Sequence, residues 1–110
     1  MKKLIPAIFL AATAITAQAT EISNAFKQMG FTQTNRGTNA TVFATYERNM
    51  DFQTCNRFIG ILAQKLNRAP TNIVETSGMR VVRFGPIDFG SMLLTCNGQQ
   101  IIANLSKNPG

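Results

Sequence analysis

The chain has 110 residues, with eleven basic and five acidic side chains, two cysteines and no histidine. That length is enough for one domain with one modest core. The missing histidine removes the commonest general base and the commonest metal ligand, which excludes Ser-His-Asp and Cys-His nucleophile systems.

The first residues read as a targeting segment. Lys2 and Lys3 form a charged start, Leu4 to Ile15 an apolar stretch, and Ala17-Gln18-Ala19 a small-residue cleavage motif. The stretch is shorter than the roughly 20 apolar residues of a membrane span, and Pro6 interrupts it. Residues 1–19 are therefore expected to be a secretory signal peptide, and residues 20–110 a single small domain. The short Lys-Lys start points to export into the bacterial periplasm or the medium, with no stable membrane insertion after cleavage. Cleavage leaves nine basic and five acidic residues, a net +4. Such a charge gives a weak bias toward anionic surfaces and is no footprint of nucleic-acid binding.

A core this small often needs a staple. Two cysteines in an exported chain predict a disulfide between Cys55 and Cys96. Their separation of 41 positions corresponds to about 4 kcal/mol by chain-entropy arithmetic. No Cys-x-x-Cys motif supports a redox role.

Taken in order, Ile22, Ala25, Phe26 and Met29 recur at helical spacing, with Gly30 as a stop. Thr32 to Ala40 is polar and turn-rich and reads as a surface loop; Thr41 to Arg48 reads as a strand. Asp51 is a good N-cap for the strongest helix signal in the chain. Phe52, Cys55, Phe58, Ile59, Leu62, Ala63 and Leu66 form its apolar stripe, and Pro70 prevents its continuation. Ile61 projects opposite that stripe.

Two hairpins follow. Ile73 to Thr76 and Met79 to Phe84 flank Ser77-Gly78, setting Glu75 opposite Arg80, Val74 opposite Val81 and Ile73 opposite Val82. Ser91 to Cys96 and Gln99 to Leu105 flank Asn97-Gly98, a preferred hairpin turn. Centred on that pair, the register sets Leu94 opposite Ile101 and Met92 opposite Ala103. One face then carries Met92, Leu94, Cys96, Ile101, Ala103 and Leu105, the other Leu93 and Ile102 among polar residues. Helix and strand periodicities thus place both sulfurs at one helix–sheet interface. The expected class is α+β: a central helix packed on a mostly antiparallel sheet of two C-terminal hairpins plus one earlier strand, with a short N-terminal helix. The tail from Lys107 to Gly110 is expected to fray.

No motif for a metal, a cofactor or a catalytic nucleophile stands out. Gly85 to Gly90 is glycine-flanked but precedes a strand, so it reads as a bend rather than a phosphate cradle. Glu47 and Asp51 are close enough in sequence to be checked as an acid pair, yet a strand end and a helix cap explain them. Ser77 or Ser91 with Lys65 has no motif behind it. The chain is not expected to be an enzyme. Arg80 and Arg83 share a strand but have opposite parity, so they face opposite sides of the sheet.

The apolar residues left over are Leu93 with Ile102, Val74 with Val81, and Ile61. The N-terminal helix needs an apolar home and is expected to cover one such patch; a patch left open would take a protein partner. The expected function is a small exported, disulfide-stapled binding or accessory protein, such as an inhibitor, immunity or assembly factor. Its partner surface would be Leu93 and Ile102 with Arg80 or Arg83 at the rim, and Ile61 elsewhere. The alternatives are a small histidine-free hydrolase, which needs a deep polar pocket, or a protein bound to an anionic envelope surface, which salt would release.

Overall fold

The computed structural model describes residues 19–109. The targeting segment expected over residues 1–19 lies outside the described residues, Ala19 apart. Helix α1 covers residues 19–28. It closes on Gly30, whose φ of +88° suits glycine. The Gly30 N–H donates to the Lys27 carbonyl and the Phe31 N–H to the Phe26 carbonyl, a Schellman closure. Phe26 is buried, and Ile22 and Met29 pack half-buried against the core. Ala25, expected among them, sits at the edge of this stripe and is exposed.

Helix α2 spans Phe52–Leu66 as its pattern requires. The Asp51 carboxylate accepts from the Thr54 N–H at 2.7 Å, satisfying one of the free donors of the first turn. At the other end Asn67 adopts the left-handed conformation, and the Arg68 N–H donates to the Ala63 carbonyl. The helix therefore stops before Pro70 is reached. Cys55, Ile59 and Leu62 are buried, with Phe52, Phe58, Ala63 and Leu66 packed beside them.

The strands β1 (Thr32–Thr34), β2 (Val42–Asn49), β3 (Thr71–Glu75), β4 (Arg80–Ile87), β5 (Gly90–Cys96) and β6 (Gln100–Ser106) form one antiparallel sheet. Its order is β1-β2-β6-β5-β4-β3. Strand β1 falls in the stretch expected to be loop. Its polar side chains carry no alternating signal, and it exists by pairing Thr32, Gln33 and Thr34 with Glu47, Tyr46 and Thr45. Gly85 to Gly90 does form a bend, and that bend is the tip of a hairpin: Ile87 pairs with Gly90 across Asp88 and Phe89.

Two expected registers need correction. In the β5–β6 hairpin Leu94 lies opposite Ala103, Met92 opposite Leu105 and Cys96 opposite Ile101. The Asn97 side chain accepts from the N–H groups of both Gln99 and Gln100, and Gly98 takes the positive φ of +89°. The turn is thus centred on Gly98-Gln99, one residue later than expected, with glycine at its first central position. In the β3–β4 pair Glu75–Arg80 and Val74–Val81 stand as expected, but Asn72 rather than Ile73 opposes Val82. A bulge at Ile73 absorbs the extra residue and leaves that side chain exposed.

The core lies between the sheet and the two helices. Val82, Phe84, Met92, Leu94, Cys96, Ile101, Ala103 and Leu105 are fully buried on the sheet side. Cys55 and Cys96 are joined with a Cα–Cα distance of 5.9 Å, and neither has any exposed surface. Helix α1 docks on this same side. The Phe26 ring lies 5.4 Å from Tyr46, 4.8 Å from Phe31 and 6.4 Å from Phe58 of α2. Because Tyr46 opposes Ala103, it belongs to the disulfide face. So α1 extends the existing core and does not cover the Leu93–Ile102 patch. The tail is also ordered as far as Pro109: the Lys107 N–H donates to the Thr41 carbonyl, and the Ser91 hydroxyl donates to the Asn108 carbonyl.

Candidate functional site: the second sheet face

Strand parity dictates what the face away from the helices displays. One cross-strand row runs Val74, Val81, Thr95, Ile102, Glu47, Thr32 across all six strands. The adjacent row runs Thr71, Arg83, Leu93, Asn104, Thr45, Thr34. Leu93 and Ile102 are consequently diagonal neighbours on adjacent strands, not the directly opposed pair expected. Val74, Val81, Arg83, Leu93, Thr95 and Ile102 are all half-buried. This apolar strip on β3, β4, β5 and β6 has no helix over it among the described residues.

The β1–β2 end of the face is closed by polar chemistry. The Glu47 carboxylate accepts from the Thr34 hydroxyl at 3.2 Å and the Gln100 amide at 3.2 Å, and pairs with Arg36 at 3.0 Å. The loop over residues 35–41 packs down at Gly37, where an added Cβ would meet Asn104 Oδ1 at 2.7 Å and Thr45 Oγ1 at 3.1 Å. Glycine is what lets the backbone approach this closely. A polar cavity of about 490 Å³ lies beside Glu47, lined also by Arg36, Arg48, Asn49 and Gln100. Its charged groups are occupied with each other or with backbone: Arg36 holds Glu47, and Arg48 donates to the Met29 carbonyl.

A second cavity, about 250 Å³, opens on the face itself between β4, β5, β6, the start of β2 and the tail. Arg83 and Leu93 line it, with Thr41, Ser91, Asn104 and Ser106. Register sets Arg83 directly opposite Leu93, so its aliphatic stem runs beside an apolar neighbour while its head can reach the opening.

Arg80 lies elsewhere. It is opposite Cys96 on the helix side, donating to Asn56 Oδ1 at 3.0 Å and to Asn72 Oδ1 at 3.1 and 3.2 Å. It bridges α2 to the edge strand β3 and is no rim to the second face. Ile61 stays exposed at 46 % on the outer surface of α2, across the molecule from Leu93 and Ile102. The structure thus brings Leu93, Ile102 and Arg83 onto one face and separates them from Arg80 and Ile61.

Glu47 and Asp51 do not form an acid pair. Glu47 belongs to the second-face cluster, while Asp51 caps α2, and its hydrogen bonds from Thr54 hold its carboxyl below the ordinary value of 3.8. Ser91 on the second face and Lys65 on α2 occupy opposite sides of the sheet. Among the described residues no group of His, Cys, Asp or Glu side chains is arranged to hold a metal ion, and no helix is long and apolar enough to cross a membrane. In comparisons with known proteins, no family model, curated protein or solved structure matches this chain.

Sequence reasoning placed Asn104 on this face among its polar residues but missed Glu47. Parity could have found it: Glu47 is two residues from Thr45, on a strand whose alternate residues Ala44 and Tyr46 belong to the core.

Proposed function

We propose that the chain is a small exported, disulfide-stapled binding or accessory protein of the bacterial envelope, acting through a protein–protein surface on the second sheet face. One observation carries the reading. Both described helices pack on the disulfide side, leaving Val81, Leu93 and Ile102 half-buried on a face with no helix over it among the described residues. A flat apolar strip bordered by polar groups is the form a partner surface takes.

The test uses the mature, oxidised protein as bait on its native envelope extract. Leu93→Asp and Ile102→Asp are expected to lose the captured partner while keeping the Cys55–Cys96 bond. Retention of every partner by both variants would remove the surface from consideration. Capture that persists in raised salt separates apolar docking from attraction to an anionic surface.

A further inference from the structure

We infer that the cavity beside Leu93 is a carboxylate pocket, into which the partner inserts one acidic side chain with apolar residues on either side of it. This rests on the proposed partner surface and names the chemistry that surface selects.

The lining is one-sided in charge. Arg83 is half-buried, and its side chain makes no hydrogen bond or ion pair with any described residue. Asn104 uses its Oδ1 to accept from Thr45, which leaves its amide N–H groups free to donate. The Ser106 Oγ accepts from the Asn108 N–H, so its hydroxyl proton is also available. Among the described residues no Asp or Glu lines the cavity. Donors around a guanidinium shielded from bulk water on one side, with no carboxylate among the described lining residues, call for an anion.

Size and surroundings choose the kind of anion. About 250 Å³ falls short of the roughly 300–1,000 Å³ typical of small-molecule sites, but it admits one side chain. The apolar strip begins at its lip, with Leu93 in the lining and Ile102 and Val81 in the next row. A free metabolite would leave that strip uncovered. A peptide segment with a carboxylate between apolar residues satisfies both at once. In the other cavity on this face both guanidiniums already have partners, Arg36 the Glu47 carboxylate and Arg48 the Met29 carbonyl.

Two blocked tripeptides, acetyl-Leu-Glu-Leu-amide and acetyl-Leu-Gln-Leu-amide, serve as probes in NMR titrations of the mature oxidised protein. The Glu peptide should shift Arg83 Nε, the Asn104 side-chain amide and the Leu93 methyls saturably. It should bind about tenfold or more tightly than the Gln peptide, the value of one charge-assisted hydrogen bond. Arg83→Gln should erase that preference, and Arg83→Lys should keep part of it. Equal binding of both peptides, unchanged preference in Arg83→Gln, or no saturable shift would each overturn the assignment. In envelope capture, loss of partner in Leu93→Asp but not in Arg83→Gln would sink the pocket alone and leave the surface standing. Retention in both would count against the two together.

Discussion

Removing the cross-link between Cys55 and Cys96 should cost this domain a large share of its stability. The two sulfurs close a loop with a sequence separation of 41, which by chain entropy is worth about 4 kcal/mol. A domain of this size has roughly 5–14 kcal/mol in total. Both positions are fully buried, so alanine is the replacement to use; serine would add an unsatisfied hydroxyl to the core. The Cys55→Ala/Cys96→Ala double variant should therefore lose about 4 kcal/mol or slightly more, read from urea unfolding midpoints. Its unfolding slope should also steepen, because the unlinked chain exposes more surface. Non-reducing peptide mapping of the parent protein should join the two cysteine peptides. A loss below about 1 kcal/mol with an unchanged slope would refute the claim that this bond staples helix to sheet.

Phe26→Ala should cost about 3–5 kcal/mol, since the ring is buried among Tyr46, Phe31 and Phe58. Amide exchange should then accelerate first in residues 19–28, and uniform acceleration would contradict the docking of α1 through this one ring. Gly90→Ala should cost about 2 kcal/mol or more, because φ is +138° and the new Cβ would run into the Ser106 carbonyl oxygen and the Lys107 backbone. Gly60→Ala should do the opposite and add about 0.5–1 kcal/mol, since nothing lies within 4 Å of the added methyl in mid-helix. Asp51 carries a depressed carboxyl pKa through its Thr54 hydrogen bonds, so its contribution is complete above the ordinary value of 3.8 and fades as pH falls through the lower folded value. Asp51→Asn should flatten that part of the stability–pH curve, and an unaltered curve would assign the acid loss to other carboxylates.

Much of the architecture was legible because parity and helical period are robust to small errors. Moving the β5–β6 turn by one residue changes every pairing partner by two positions, and a shift of two returns each side chain to the same face. Leu94 therefore meets Ala103 instead of Ile101, yet Cys96 still points at Cys55. What decided the turn was the Asn97 side chain, whose carbonyl takes the N–H groups of Gln99 and Gln100. The dipeptide Asn-Gly is compatible with either centring, so composition could not choose between them. Strand β1 was illegible for a different cause. Thr32 and Thr34 face the polar end of the second sheet face, so no apolar alternation marks them, and their pairing is written in β2.

The candidate site was legible in part, and the part that failed did so for a geometric reason. Arg80 and Arg83 differ in parity, so only one can share a face with Leu93; register supplies the answer by setting Arg83 opposite Leu93 and Arg80 opposite Cys96. Their environments then diverge. Arg80 is consumed by Asn56 and Asn72, tying α2 to an edge strand, whereas the Arg83 side chain has no partner among the described residues. A half-buried guanidinium beside Leu93 loses hydration without a compensating partner among the described residues. Placing α1 on the disulfide side keeps that cost in the free protein, because the helix that could have covered the second face is committed to Tyr46 and Phe58. An acidic partner would relieve it. The strip of Val81, Leu93 and Ile102 would then supply apolar contact, and Arg83 the selection among partners by charge.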